Sequence, residues 1–526
     1  MATTTLPQRI AAVFADNRDR TFLIESMTNR SWTYGEFHEW ALRAASMLRA
    51  SGVKKGDHVA LLLANSAEFA AMYFGCLFIG AVAVPVNQAL HPDEIRYILS
   101  HCGSRLLLFS RCTRALLLQV TEGLNLRQVR VTLGQEQSFH PEDIQESWSY
   151  ETAAVDPSLV PLDGVSDDAP LIVLFTSGTT GRPKGLVHAV RSEFGNAVAF
   201  NSAMGLGRDD RFLHIWPMAY STGYLNTMLA PFMAGGSVVL STAFTAQTIL
   251  AFWKPVIKHG ANALWLSPTM AASLVRMDRD GAGIDYCRAH IRTVCVGTAP
   301  FAQKLKKEFE AKYGVEALES YGLSELLIIA ANVPAHPRRE GSVGRLLPGV
   351  EFSTADAGDA SGAGGASEIL VRTPFSMNGY LDPDTGRVEA LEADGWFRTG
   401  DIGHMDAGGN LYITGRKKDL IIRGGQNLSP VGIREVLLNH PVVDDAVVVG
   451  IPHDFYGEEV VAALRLKGEA KLPDERSSIL QYCRRFLSQA AVPTQMLQVD
   501  EFPTGPTGKI LTREVRSRVI ASLAAR

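Results

Sequence analysis

An apolar run, Leu171-Ile172-Val173-Leu174-Phe175, feeds without a break into Thr176-Ser177-Gly178-Thr179-Thr180-Gly181-Arg182-Pro183-Lys184-Gly185. Five consecutive apolar residues predict a short strand buried on both faces, a pattern suited to a layered α/β sheet. The glycines that follow let backbone amides converge on an anion where a side chain would block the approach. Thr176, Ser177, Thr179 and Thr180 add hydroxyl donors for non-bridging phosphate oxygens, and Lys184 adds a full charge that strengthens as water leaves. The spacing departs from that of kinase-type and GTPase-type loops. Only two residues separate Gly178 from Gly181, and Lys184 is followed by Gly185 rather than Ser or Thr.

A chain of 526 residues is too long for one hydrophobic core, so two to four domains or subdomains are expected. Strand-like runs at His58 to Leu63, Arg105 to Phe109, Leu171 to Phe175, Ser237 to Leu240 and Ile291 to Val296 are separated by helical patterns such as Tyr34 to Leu48 and Pro300 to Lys312. This alternation predicts an α/β fold: a large N-terminal domain of layered α/β subdomains, residues 1–417. Ser353 to Ser367 is rich in Ala, Gly, Ser and Asp and reads as a solvated loop. Strand-like Glu368 to Arg372 and Leu411 to Thr414 follow, and beyond Arg416 the rhythm becomes that of a smaller α+β domain, residues 418–526.

Phe69 to Val86 carries no charge over nearly the length of a membrane span, but Gly75, Gly80 and Pro85 interrupt it. It reads as a buried helix to about Ile79, a turn at Gly80 and a strand through Ala81-Val82-Ala83-Val84, with no integral membrane segment. A net charge of −4 with interspersed signs offers no basic face for nucleic acid. Six cysteines without zinc or CxxC spacing read as buried or free thiols in a reducing compartment. The first residues lack a secretory pattern and Ala524-Ala525-Arg526 is no peroxisomal signal, so the expectation is cytoplasmic, as a monomer or homodimer.

Four further motifs follow the glycine-rich loop in order. They are Tyr321-Gly322-Leu323-Ser324-Glu325, Asp394 to Gly403 with Asp401, Gly415-Arg416-Lys417-Lys418-Asp419 with Gly424-Gly425, and Pro503-Thr504-Gly505-Pro506-Thr507-Gly508-Lys509. Read alone, the first is a turn followed by a helix start. Together, over essentially the whole chain, the five motifs resemble the adenylate-forming superfamily of acyl-CoA and aryl-CoA synthetases, stand-alone adenylation domains and luciferases.

That resemblance implies roles for named residues. Ser177, Gly178, Thr179, Thr180 and Gly181 would hold phosphate with Thr176 and Lys184, and Tyr321 would pack on adenine. Ser324 would approach the reacting carboxylate or α-phosphate, and Glu325 and Thr176 would meet Mg²⁺. Asp401 would accept both ribose hydroxyls, with Arg416 beside it. Gly297, Thr298 and Ala299 would line the adenine and acyl pockets. Lys418 would be the hinge of a mobile C-terminal domain, Gly424 and Gly425 would give a thiol close backbone access, and Lys509 would be the catalytic lysine.

The expected activity is a two-step acid:thiol ligase of acyl-CoA synthetase type. It uses ATP and Mg²⁺ to activate a small carboxylic acid as acyl-AMP and passes the acyl group to coenzyme A or to a carrier-protein phosphopantetheine. The alternatives to coenzyme A as acceptor are the carrier-protein thiol and capture of the adenylate by another nucleophile or by oxidation; a non-catalytic nucleotide sensor is a third, against which Glu325 and Lys509 argue, since a pure binder needs neither. The acyl pocket is expected at Trp216, Tyr220, Ser221, Gly223 and Gly297. Trp216, Tyr224 and Met228 favour an apolar or aromatic acid, although they can equally be core. A phenol at Tyr220 carries no positive charge near neutral pH.

Overall fold

The computed structural model describes residues 4–110, 114–132, 147–150, 153–177, 183–245, 247–278, 281–355, 367–382, 385, 387–390, 394–505 and 509–524. The uncharged segment near Gly75 folds into the core. Ala67–Phe78 is a helix capped by the Ser66 side chain, Gly80 turns the chain at φ +67°, and Val82–Pro85 is a strand. Every residue of that helix is buried, including Glu68, whose carboxylate pairs with Arg30 at 2.8 Å. It packs on the helix Tyr34–Ala50 so closely that a Cβ at Gly75 would lie 2.6 Å from that of Ala44. Among the described residues no helix is long and apolar enough to cross a membrane.

Two nine-stranded sheets form the large N-terminal domain. One has Arg211–His214, Ser237–Leu240, Ala263–Leu266, Thr293–Val296 and Ala317–Leu323 as its parallel centre. In the other, His58–Leu62 and Val82–Pro85 run parallel beside Pro170–Ser177, which turns back antiparallel through Pro183–Ala189 with Val173 opposite Val187. Burial of whole strands, such as Leu106–Phe109 and Ala263–Leu266, agrees with their unbroken apolar sequence. The core between the sheets is aromatic, with Phe14, Phe22, Phe37, Phe74 and Phe232 meeting mostly edge to face.

A four-stranded sheet ends with the pair Phe397–Met405 and Leu411–Arg416, and a single helical turn, Lys417–Asp419, leads to Ile421–Arg423. From there a five-stranded sheet, dominated by the hairpin Val443–His453 and Gly457–Leu466, carries the helices Pro430–Leu438, Leu472–Phe486 and Thr512–Ala524. This smaller domain has its own apolar core. It touches the larger one where Ala302 packs into that core, where Lys304 donates to the Leu438 carbonyl at 2.7 Å, and where Arg276 meets Asp444 at 2.6 Å.

Three expectations are corrected. Ser353 to Ala355 belongs to the strand Glu351–Ala355, where pairing with Ser367–Arg372 overrides its small polar residues; 356–366 lie outside the described residues. The helix expected from Pro300 begins at Gln303, because Phe301 and Ala302 are buried in extended chain before it. No helix starts after Tyr321-Gly322. Leu323 turns directly into the apolar strand Leu327–Ala331, which pairs back antiparallel on Ala317–Leu323, with Leu327 at φ +61° closing the turn.

Candidate active site

The expected nucleotide residues meet where strand ends converge. Asp401 and Arg416 are opposite each other in the antiparallel register of their strands, and Arg416 Nε lies 2.7 Å from Asp401 Oδ1. Tyr321, at the end of the parallel centre, donates its hydroxyl to Asp401 Oδ2 at 2.7 Å. Burial, then the Asp401 charge, pushes the Tyr321 phenol well above its ordinary range, so it remains a donor. Asp401 is 2% exposed, yet each carboxylate oxygen has a partner. Thr399 Oγ1 receives the Asp401 amide and fixes the backbone there.

The second group surrounds the glycine-rich loop. Thr176 is opposite Lys184 in the hairpin, while Gly178, Thr179, Thr180 and Gly181 lie outside the described residues and Ser177 is described only as the end of its strand. The Lys184 ammonium sits 5.1 Å from the centre of the Tyr380 ring, and the Tyr380 hydroxyl donates to Glu325 Oε1 at 3.2 Å. Burial beside the Glu325 charge pushes this phenol up to about 12. Glu325 is held by its backbone, its carbonyl accepting from Met377 N at 2.9 Å. The Ser324 carbonyl lies 2.8 Å from His188 Nε2. Complete burial pushes His188 down to about 4, so the ring is neutral at pH 7 and Nε2 is the protonated, donating nitrogen.

Lys509 comes from the small domain into the field of the first group. Its side chain keeps solvent contact, but surrounding protein lowers its pKa, and the Arg416 and Lys418 cations lower it further against the opposing Asp419 and Asp401 charges. Lys418 is exposed in the helical turn Lys417–Asp419. Gly424 and Gly425, at φ +57° and +80°, form the exposed turn between Ile421–Arg423 and Gln426–Leu428; the contacts recorded there are with Tyr456, not with Asp401 or Lys509.

At the expected acid end, Gly297 follows the strand Thr293–Val296 and is buried, Thr298 is exposed at φ +74°, and Ala299 is half-buried. Tyr220 and Ser221 are half-buried, and burial raises the Tyr220 phenol above its ordinary range. Gly223 cannot carry a side chain, since a Cβ would lie 2.2 Å from the Pro217 carbonyl oxygen. Trp216, 1% exposed, donates its indole N–H to the Trp265 carbonyl at 2.8 Å, so it has no polar atom left to offer a ligand. Tyr224 and Met228 are core, on the π-helical segment Thr222–Leu229, and Tyr224 stacks on Tyr73. The three side chains read as favouring an apolar acid therefore serve the interior.

The model of the AMP-binding enzyme family matches residues 10–381, and that of the AMP-binding enzyme C-terminal domain matches 433–509. The chain belongs to the AMP-binding enzyme family. Sulfoacetate–CoA ligase of Cupriavidus necator is 32% identical to this AMP-binding enzyme over 96% of each chain. Indoleacetate–CoA ligase of Aromatoleum aromaticum is 32% identical, with 93% of this chain and 94% of the relative covered. The structure of o-succinylbenzoate CoA synthetase from Bacillus subtilis, in complex with its acyl-adenylate intermediate, superposes with a TM-score of 0.78 at 26% identity, covering 97% and 98% of the two chains. In enzyme class this AMP-binding enzyme is an AMP-forming ligase of the acyl-CoA synthetase type.

Two contributors to the site of this AMP-binding enzyme are not apparent from its motifs. Tyr380 reaches Glu325 because Gly379–Leu381 pairs with Pro183–Ala189, a partnership no local pattern announces. His188 is the one polar side chain in Leu186-Val187-His188-Ala189, and that interruption of an apolar strand is the signal that would have found it. A magnesium ion shared with phosphate oxygens needs only one or two protein carboxylates. Glu325 fits this demand: Tyr380 occupies Oε1, and Oε2 has no partner among the described residues.

Proposed function

We propose that the chain activates a carboxylic acid as its acyl-adenylate with release of pyrophosphate and then transfers the acyl group to coenzyme A. The observation that carries this reading is the convergence of Lys509 from the small domain with Asp401, Arg416 and Tyr321 from the large one. Nucleoside binding alone has no use for a lysine delivered from a second domain. In the first step an acid oxygen bonds to the α-phosphorus of ATP and the bond to pyrophosphate breaks. In the second, a thiolate bonds to the acyl carbon and AMP leaves.

Both substrates bring their own reactive groups, so the protein's work is positioning and charge stabilisation. Asp401 accepts the ribose hydroxyls while Arg416 holds it in place, and Tyr321 supplies a flat face for the base. The 176–185 loop receives the β- and γ-phosphates, with Lys184 countering their charge. Ser324, its carbonyl anchored by His188, directs its hydroxyl to the reacting groups. Glu325 and Thr176 would hold Mg²⁺, which supplies Lewis-acid neutralisation of the phosphates when bound. Lys509 neutralises the charge that builds between carboxylate and α-phosphate. A domain boundary after Lys417, with Lys418 as hinge, allows Lys509 to withdraw and the Gly424–Gly425 turn to approach the thiol.

Pyrophosphate exchange across a panel of carboxylic acids, followed by mass spectrometry of products with coenzyme A or a carrier protein, tests the reading. Exchange with an acyl-CoA product supports it. An acyl-carrier product or another adduct redirects the second step, and no exchange with any acid overturns the first.

A further inference from the structure

A cluster of cations lies at the other end of the sheet that carries Tyr321. Arg20, Thr21, Arg208, Asp209, Arg211 and Ser237 line a recess of about 400 Å³. Thr21, Arg211 and Ser237 each open a strand, Thr21–Glu25, Arg211–His214 and Ser237–Leu240, and these strands run parallel, so the recess sits at their amino ends. Tyr321 lies toward the carboxyl end of Ala317–Leu323 in the same sheet. The length of the strands therefore separates the recess from the Tyr321–Asp401 group.

Two of the three guanidinium groups are fixed by the backbone. Arg211 donates through Nη1 to the His259 carbonyl at 2.6 Å and through Nε to Ser237 Oγ at 2.9 Å, while its Nη2 has no partner among the described residues. Arg20 donates through Nη2 to the Arg208 carbonyl at 2.6 Å, and its Nε and Nη1 make no hydrogen bond among the described residues. The Arg208 guanidinium is exposed and makes no hydrogen bond or ion pair among them at all. Asp209, the one acid in the recess, is 86% exposed and 3.8 Å from Arg20. Three guanidinium groups against one solvated carboxylate leave two positive charges in excess. A second recess, of about 260 Å³, shares Arg208 and continues the surface past Arg9 and Asp16.

We propose that this recess is a binding site for a phosphoryl group, separate from the nucleotide site. The inference goes beyond the ligase reading and does not depend on it. A guanidinium fork matches phosphate oxygens two at a time, and Arg20 and Arg211 are already oriented before a ligand arrives. Like charges gathered around one recess repel one another, and an anion placed among them relieves that repulsion. Two charges in excess suit a dianionic phosphate better than a single carboxylate, and no apolar side chain lines the recess to hold an acyl tail. The ligand is a phosphorylated small molecule or the headgroup of a phospholipid, which share this chemistry.

The test uses the full chain with the nucleotide site filled by the α,β-methylene analogue of ATP, and titrates inorganic phosphate and pyrophosphate by calorimetry at constant ionic strength. In parallel, the protein is sedimented with phosphatidylcholine vesicles that contain or lack phosphatidic acid. Anion binding is expected in at least one arm. Arg208→Gln removes a charge but no hydrogen bond or ion pair, and it keeps the carbonyl that holds Arg20. It should weaken that binding by about tenfold or more, the equivalent of one charge-assisted hydrogen bond. Arg208→Lys should recover only part of the loss, since a point charge replaces a planar fork. Pyrophosphate exchange should be unchanged in Arg208→Gln. Loss confined to the calorimetric arm assigns a soluble phosphate, and loss confined to phosphatidic acid vesicles assigns a headgroup. No binding in either arm, or equal binding by wild type and Arg208→Gln, overturns the inference. Failure of every acid to support pyrophosphate exchange would remove the ligase reading and leave this site standing.

Discussion

At the proposed nucleotide end of the cleft Asp401 is buried with one oxygen on Arg416 and the other on Tyr321, whereas the buried Trp265 indole N–H, two strands away from Tyr321 in the same sheet, has no hydrogen-bond partner among the described residues. The first arrangement is complete before any ligand arrives. It suits a group that is the same in every turnover, because pre-paired polar groups cost no reorganisation when the nucleoside docks. The second is incomplete: a buried donor left without an acceptor costs about 1–3 kcal/mol.

The largest expected effect lies between the two ends. Lys509→Ala removes one preorganised charge partner of the transition state, which should cost about 3 kcal/mol, about a hundredfold or more in the adenylation rate. Thioester formation from supplied acyl-adenylate should be spared. Pyrophosphate exchange at the wild-type rate would remove Lys509 from the chemistry.

Asp401→Asn tests the pre-paired end. Arg416 is 40% exposed, so the loss belongs near the low end for a hydrogen-bonded charge pair, about 2 kcal/mol. It should appear as a raised KM for ATP with little change for the acid; equal changes in both would erase the division of labour. Tyr220→Ala should do the reverse, altering the rank order of acids by about 1–3 kcal/mol while leaving ATP affinity nearly alone. An unaltered rank order takes Tyr220 out of the acid pocket.

Glu193 sharpens the contrast through stability. It is fully buried with neither carboxylate oxygen hydrogen-bonded among the described residues, and burial pushes it up to about 8. A carboxyl whose folded pKa is raised binds its proton more tightly in the folded state. Its contribution is fully present below the unfolded value near 4.5 and is lost as pH rises through about 8. Glu193→Gln should therefore flatten the fall in Tm between pH 5 and 8 and stabilise the protein by about 1 kcal/mol or more at pH 8. A slope equal to that of the wild type would mean the acid is paired in solution.

The smallest effect concerns Lys418. Since its charge helps to lower the Lys509 pKa, the adenylation rate should fall with rising pH before the ordinary lysine range, and Lys418→Ala should move that alkaline limb upward. An unmoved limb would separate the two lysines.

Much of this organisation is legible along the chain. The apolar runs at 58–63, 105–109 and 237–240 are strands because whole-strand burial leaves no polar alternation to misread. Gly80 is the turn within the uncharged segment because it alone supplies the positive φ there. What local pattern does not carry is pairing. Tyr321 to Glu325 reads as a helix start until Leu327–Ala331 folds back on it, and Ser353 to Ala355 reads as a loop until Ser367–Arg372 supplies its hydrogen bonds. The acid end suffers most, because Trp216 and Trp265 look alike in sequence; only their hydrogen bonds separate the indole that is spent from the one that is not.

The ion pair that joins the two domains has a bearing on turnover. Asp444 takes Arg276 of the large domain on one oxygen and Arg465 of its own domain, at 2.7 Å, on the other. In the proposed domain rotation, breaking this pair strands neither of its charges: Asp444 keeps Arg465, and Arg276, already 44% exposed, is taken up by water. A surface pair of this kind is worth about 0–1 kcal/mol. The pair therefore adds little drag to that rotation, and the resistance of the seam falls to Ala302 and to the Lys304–Leu438 hydrogen bond; Arg276→Ala should leave kcat governed by other steps.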